Sequence, residues 1–257
     1  MSEAQQPQPQ PFGAGGLAAP PPPAMARKAA EVGEAKARLD LVSTFALAVL
    51  AGAFSALGAA FATTVLAGGS SLPYGVARLL GGLAFSLGLI LVVCAGAELF
   101  TGNTLIVVAW ASRRVAIRRV LLLWAVVYAG NFVGSIGTAG LVALGRQYTF
   151  GKGAVGDTAL TIAATKTGLG WGQAVALGFE HSVAKMYFSR YALFVRADGG
   201  WLAGRSGLPD LAHLTWGRFV WANLLPVTIG NLIGGVVLVG AVYWFVYLRP
   251  RRLDPAA

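Results

Sequence analysis

Three ionisable side chains interrupt otherwise apolar stretches of the sequence: Glu98, Glu180 and His181. Ionisable groups at membrane depth are costly, and they are functional candidates by default. Imidazole normally changes charge near neutral pH, so His181 could pass or sense protons, or it could be a satisfied core histidine. Each glutamate could accept hydrogen bonds from backbone N–H groups freed by a helix break, and this loop-stabilising role is favoured.

Lys166 and Thr101 are further polar candidates. A lysine at a pore vestibule attracts anions, whereas an interfacial lysine merely extends its ammonium to the surface. Thr101 could bind a small oxyanion or bond its own backbone. Asn131 and Asn231 could line a path or tie the third span to the last; the second role is favoured, and both are assigned with the glutamates to loop stabilisation. Four apolar residues near the first break could constrict a pore or simply pack: Phe85, Leu89, Leu99 and Phe100.

No catalytic constellation accompanies these residues. The sequence lacks Gly-x-Ser-x-Gly, His-Glu-x-x-His, a phosphate-binding loop and paired cysteines, since Cys94 is alone. The 20 Lys and Arg exceed the 10 Asp and Glu, but no aromatic side chains are interleaved with them on a polar surface. We therefore expect no enzyme activity, no cofactor, no metal and no nucleic-acid partner.

The elements that position these residues are apolar helices. Hydrophobic residues make up 56% of the 257-residue chain and charged residues only 12%, about half the charged share of a soluble domain. A membrane crossing takes about 20 apolar residues. Four stretches exceed that length and contain one charge, that of Glu98: 41–77, 79–112, 120–145 and 219–248. The sequence predicts an all-α polytopic membrane protein.

Cations and composition set the expected boundaries. Residues 1–38 read as a cytoplasmic tail, rich in proline and disordered at first, with an amphipathic lead-in helix from Met25 to Asp40 or, alternatively, a solvated linker. The channel domain covers 39–249, and 250–257 form a second cytoplasmic tail. By the positive-inside rule, three basic clusters place both termini in the cytoplasm of a plasma (inner) membrane protein: Arg27 to Arg38, Arg113 to Arg119 and Arg249 to Arg252.

The chain contains a degenerate internal repeat. Gly96-Ala-Glu-Leu-Phe100 aligns with Gly178-Phe-Glu-His-Ser182, and Gly130-Asn-Phe-Val-Gly134 aligns with Gly230-Asn-Leu-Ile-Gly234. The first motif interrupts an apolar run that is too long for one crossing, so it predicts a broken helix. Inverted repeats with a broken helix in each half are typical of membrane transport proteins.

The second half is shorter than the first. Glu98 lies 57 residues after Leu41, whereas Glu180 lies only 21 residues after Ala159, a shortfall of about 36 residues on the repeat logic. The fourth segment would then enter from the outer face near Lys166 and run directly into the second break. Residues 159–195 would form a re-entrant hairpin or two short tilted segments, and the last span would still run inward.

Three motifs together resemble the formate/nitrite transporter family: Ala95-Gly-Ala-Glu-Leu-Phe-Thr-Gly-Asn103, Gly178-Phe-Glu-His-Ser-Val-Ala184, and Asn223-Leu-Leu-Pro-Val-Thr-Ile-Gly-Asn-Leu-Ile-Gly-Gly235. The resemblance covers about 39–249. It implies an aquaporin-like protomer of six spans, broken in spans two and five, that assembles as a homopentamer with one pore per protomer. It also implies small monovalent anions of weak acids as substrates, formate or nitrite above all, together with protons.

The same resemblance assigns roles to individual residues. His181 matches the central pore histidine, Lys166 the vestibule lysine, and Thr101 with Leu99 and Phe100 the loop of the first break. Phe85 and Leu89 match apolar constriction positions. Two positions depart from the family: Ala174 stands where an aromatic constriction residue belongs, and Lys185 replaces an asparagine. With the shortfall, these departures leave open a lost pore, a widened pore or an incomplete gene model.

Overall fold

The protein is helical throughout the residues that the structure, a computed structural model, describes: 20–69, 72–176 and 181–250. Glu180 and residues 1–19 of the predicted tail lie outside these ranges. The helices are α1 (Pro22–Arg38), α2 (Leu41–Leu66), α3 (Tyr74–Cys94), α4 (Phe100–Asn103), α5 (Ile106–Ala111), α6 (Ile117–Leu144), α7 (Ala154–Thr167), α8 (Trp171–Ala176), α9 (Ser182–Ala197), α10 (Gly199–Ala203) and α11 (Trp216–Leu248).

Four of the described helices are long and apolar enough to cross a membrane: α2, α3, α6 and α11. Four long helices are fewer than the six spans of the family, in agreement with the truncated second repeat expected for this chain. Helices α7, α8 and α9 have 14, 6 and 16 residues, and even a 16-residue helix spans about 24 Å of a hydrocarbon core about 30 Å thick. The shortened second half has lost crossings, as the spacing of the repeat predicts.

Helices α7 and α9 occupy the stretch for which the sequence predicts a re-entrant hairpin or two short tilted segments. They pack against each other, and their outer ends are tied to adjoining loops. The hydroxyl of Tyr148, just before α7, donates to Asp198 at the end of α9 (2.7 Å), and Arg205 pairs with Asp157 in the first turn of α7. The Tyr148 hydrogen bond lowers the pKa of Asp198, so this carboxylate stays ionised below the usual aspartate range. At its other end, α9 begins directly after His181.

Glycines on α2 and α6 let the backbones of these two helices contact each other directly. Gly52 of α2 lies against the backbone of Asn131, and Gly134 of α6 lies against the backbone of Val49. A Cβ at either glycine would collide with a carbonyl group that cannot move without distorting a helix. This contact holds the first half of the molecule together and fixes where α6 presents Asn131.

We expect Gly134→Ala to destabilise the protein, because the added methyl group forces α2 and α6 apart. Gly137→Ala on the same helix is the matched control, since a Cβ there meets nothing within 4 Å. The control should be neutral or stabilising by up to about 1 kcal/mol, as alanine is the better helix former. Thermal denaturation in detergent should show a lower Tm for the first variant only. Equal Tm values would contradict the close packing.

The described residues of the three basic clusters lie at one end of the bundle. Helix α1 packs on α5 and on the end of α11, and Ala26, Ala30 and Gly33 form its buried face. Arg114 lies 3.6 Å from Glu34 of α1, and the Arg119 guanidinium donates to the carbonyl of Ala37 (2.9 Å). The lead-in is thus a docked amphipathic helix that begins earlier than predicted, at Pro22.

Candidate functional site

The first helix break lies within the predicted motif. Helix α3 ends at Cys94, Gly96 adopts a left-handed conformation (φ 60°), and Leu99 is extended before α4 begins at Phe100. Glycine adopts a positive φ without steric cost. Such irregular backbone is tolerated at membrane depth only where the surrounding protein satisfies its polar groups.

Asn131 of α6 satisfies the polar groups of this break. Its side-chain oxygen accepts from the N–H of Phe100 (2.8 Å), and its amide donates to the carbonyls of Glu98 (2.9 Å) and Ala48 (2.7 Å). The side chain is fully buried. These bonds join α6 to α2 and to the loop of the first break, which is the loop-stabilising role, rather than to the last span.

Asn231 of α11 does the same for the second break. Its side-chain oxygen accepts from the N–H of Ser182 (2.9 Å), and His181 before it is extended (φ −101°, ψ 119°), like Leu99 in the first break. The internal repeat predicted from sequence is thus present as equivalent hydrogen bonds. The Asn231 bond joins the last span to the start of α9.

Glu98 is held by side chains. Its carboxylate accepts from the Lys36 ammonium (2.8 Å to both oxygens) and from the Asn103 amide (2.7 Å). The N–H of Glu98 itself donates to the carbonyl of Leu47 (3.2 Å). The prediction that freed backbone N–H groups hold the Glu98 carboxylate is wrong, because α1 supplies a cation instead. The break is thereby connected to the basic end of the bundle.

Lys36→Met is expected to cost about 2–4 kcal/mol of stability, because it leaves a buried carboxylate without its cation. The Glu98 side chain is only 4% exposed and that of Lys36 28%. Lys28→Met is the matched control on the same helix, where a lysine 74% exposed lies 3.8 Å from Glu31. The control should change stability by less than about 0.5 kcal/mol. Chemical denaturation of both variants measures the difference, and equal losses would contradict the assignment.

The two breaks meet through one hydrogen bond. Thr101 Oγ1 of the first lies 2.8 Å from His181 Nε2 of the second. The other ring nitrogen, Nδ1, accepts from the N–H of Ala184 (3.2 Å) and caps α9. A nitrogen that accepts carries no proton, so the neutral ring holds its proton on Nε2 and donates it to Thr101. Both predicted residues therefore lie at the junction of the repeats.

A cavity of about 240 Å³ lies beside this junction. It is lined by three predicted residues, Phe85, Lys166 and His181, and by two further cations, Arg78 and Lys185. Lys166 is in the last turn of α7, about 13 Å of helix beyond Asp157. It shares the cavity with Arg78 near the start of α3, and α7 begins at Ala154, before the predicted start near Lys166.

The other predicted apolar residues do not line this cavity. Leu89 is exposed on α3. Phe100 is buried and meets the Tyr128 ring edge-on, with ring centroids 4.9 Å apart, and Leu99 packs beside it. The packing alternative describes Leu99 and Phe100 better than a constriction does. Ala174, in the position of the missing aromatic, is buried in α8.

Three residues of the site were missed by the sequence reasoning. Lys36 pairs with Glu98 across a separation of 62 residues, which no local pattern reveals. The Asn223 amide donates to the Lys166 carbonyl and so anchors the C-terminal end of α7 on α11. Arg78 could have been found from the sequence, because it is the cation that directly follows the uncharged stretch 41–77. In the structure it lines the cavity.

The family model described as formate/nitrite transporter matches residues 23–178 and 173–245. The chain belongs to the formate/nitrite transporter family. Formate channel FocA of Escherichia coli strain K12 is 36% identical, with 89% of this chain and 94% of that protein covered. A probable formate transporter of Methanothermobacter thermautotrophicus is 29% identical, with 87% and 96% covered.

Solved structures agree with this assignment. A pentameric formate channel with formate bound is similar with a TM-score of 0.75 and 34% identity, with 81% of this chain and 98% of that chain covered. The predicted all-α fold of this transporter family is therefore confirmed.

The comparisons also locate the missing segment. The FocA alignment spans 269 positions but covers 89% of 257 residues, about 229, so about 40 positions have no counterpart in this chain. The two matches to the family model overlap at 173–178, directly before the second break. Helices α8 and α9 are thus joined where relatives contain additional chain.

Proposed function

We propose that this chain is a membrane channel or proton-coupled transporter for small monovalent anions of weak acids, formate or nitrite. The observation that carries the proposal is the Thr101–His181 hydrogen bond, which joins the two helix breaks beside a cavity lined by Lys166. Membership of a family that includes formate channels supports this substrate class.

The cavity suits the capture of an anion. Among its described lining residues, Arg78, Lys166 and Lys185 are cations and none is an acid. Cations that converge on a small cavity raise the local anion concentration. Moving a bare carboxylate-sized ion into a low-dielectric medium costs of order 20 kcal/mol in the idealised limit. An apolar stretch of the proposed path would therefore favour passage of the neutral acid, which requires a proton.

His181 is suited to supply that proton. A proton added at Nδ1 would release the cap on Ala184, which costs about 0.5–2 kcal/mol. Burial and the neighbouring cations also oppose the imidazolium, so the proposal requires that an anion bound in the cavity offset this charge. The imidazolium would then give the Nε2 proton to the anion, leaving a neutral ring protonated on Nδ1. The ring returns to its first tautomer through water, and the alternative proton source is water alone.

The proposal also covers the assembly of the protein and the membrane in which it lies. Helices α3 and α11 are only 17% buried over their most apolar windows, so both offer apolar faces to lipid or to neighbouring protomers. A related structure is a pentameric formate channel, and we assign a homopentamer to this chain, in a plasma (inner) membrane with both termini cytoplasmic. Five copies of 26.5 kDa give about 130 kDa of protein, which native mass spectrometry would detect.

Uptake of radiolabelled formate into liposomes tests the substrate class. Uptake should exceed that of protein-free liposomes and should be competed by nitrite. Lys166→Met should reduce uptake at low formate concentration more than at saturation, because the lysine acts on anion capture. Lys152→Met is a control at an exposed lysine outside the cavity. Uptake equal to that of empty liposomes would overturn the proposal, and rapid water flux without formate uptake would indicate a neutral-solute pore.

A transport-inactive subunit that retains the family scaffold is the second candidate. The absence of about 40 aligned positions directly before His181 favours it, since relatives have additional chain there. This candidate predicts normal assembly with no formate uptake, and no effect of His181→Ala on any residual flux.

A further inference from the structure

A second cavity lies at the basic end of the bundle, away from the proposed pore. It has a volume of about 530 Å³ and lies between α5 and α11, within the range of about 300–1,000 Å³ typical of ligand sites. The helices touch where Gly240 meets Val107 and leave a cleft beyond this contact. Its walls are almost entirely apolar: Val107, Trp110, Ala111, Val236, Gly240, Ala241 and Trp244.

One cation lies among the lining residues. Arg113 is exposed and has a left-handed backbone (φ 61°) in the turn that follows α5. Its neighbours in sequence are engaged elsewhere, since Arg114 pairs with Glu34 and Arg119 donates to the Ala37 carbonyl. Among the described residues, no carboxylate pairs with Arg113. Its guanidinium is therefore available to a ligand from outside the chain.

We infer that this cleft binds one acyl chain of an anionic glycerophospholipid, whose phosphate pairs with Arg113. The apolar walls match the chain, and the guanidinium matches the phosphate in charge and in its bidentate geometry. Trp110 and Trp244 line the same cleft, and tryptophan is enriched at the level of the lipid headgroups. Basic pockets between membrane helices are known binding sites for anionic headgroups. The site is separate from the Thr101–His181 junction and does not depend on anion transport.

Native mass spectrometry of protein extracted from nanodiscs of equal phosphatidylcholine and phosphatidylglycerol tests this inference. The unaltered chain should retain one phosphatidylglycerol in preference to phosphatidylcholine. Arg113→Gln should lower that preference about fivefold, the contribution of one cation near a membrane surface. Arg118→Gln is the matched control, because Arg118 lies nearby but does not line the cleft. Ala241→Phe, at an exposed lining position, should displace both lipids by filling the cleft.

Three results would overturn the inference. Equal retention of the two lipids by the unaltered chain would remove the headgroup selectivity. An identical effect of Arg113→Gln and Arg118→Gln would show that only general surface charge matters. A loss of oligomer mass instead of lipid from Ala241→Phe would identify a second copy of the chain as the occupant.

Discussion

His181→Asn is expected to lower formate-dependent proton flux at least tenfold while the protein remains folded. Asparagine is a favourable N-cap residue, so its side chain can still accept from the N–H of Ala184 and start α9. It cannot bind and release a proton near neutral pH, and general acid–base groups typically contribute about 10²–10⁴-fold to rates. Stopped-flow measurement with a pH-sensitive dye inside liposomes gives the rate.

Two further variants distinguish the effect of losing proton transfer from the effect of disturbing the loop structure. Thr101→Val removes the hydroxyl that meets His181 Nε2 but leaves the imidazole, so it should reduce flux less than His181→Asn does. His181→Ala removes cap and imidazole together and should lower both flux and Tm. If His181→Asn carries protons as fast as the unaltered chain, water supplies the proton and the relay assigned to His181 is wrong.

Asn131→Ala is expected to cause the largest loss of stability, roughly 3 kcal/mol or more. The change leaves the N–H of Phe100 and the carbonyls of Glu98 and Ala48 without hydrogen-bond partners in a buried site. Each unsatisfied buried group costs about 1–3 kcal/mol. In a chain of this size, such a loss lowers Tm by about 6–12 °C. Thermal denaturation followed by tryptophan fluorescence measures the change.

Thr138→Val is the control for Asn131→Ala. Thr138 lies on the same helix, and its hydroxyl bonds only the Gly134 carbonyl of its own helix (2.9 Å) in the described structure. Its loss should cost less than about 1 kcal/mol. Similar Tm values for the two variants would contradict the conclusion that Asn131 holds the first break in shape.

Local patterns predicted the features that depend on local physics. An apolar run from Tyr74 to Ala111 is too long for one crossing, and the glycines and polar residues within it mark where the helix must stop. The shortening of the second half followed from chain length, because the 21 residues from Ala159 to Glu180 leave no room for a further crossing. Both features are present in the structure at or near the expected residues.

Long-range partners could not be predicted in the same way. The Gly-Asn-x-x-Gly motifs identified Asn131 and Asn231 as a related pair, but a motif does not show which neighbour an amide faces. Glu98 needed a partner, yet the sequence offers many lysines, and only the docking of α1 selects Lys36. The start of α7 was not predicted, because the polar turn Gly151 to Gly153 begins this helix at Ala154, earlier than its hydropathy indicates.

The most direct test of the proposed channel is internal acidification of liposomes after formate is added outside. If formate enters with a proton, the purified chain should acidify the lumen faster than protein-free liposomes do, and the His181→Asn chain should not. Acidification at the protein-free rate by the correctly assembled, unaltered chain would contradict the account and favour the transport-inactive scaffold.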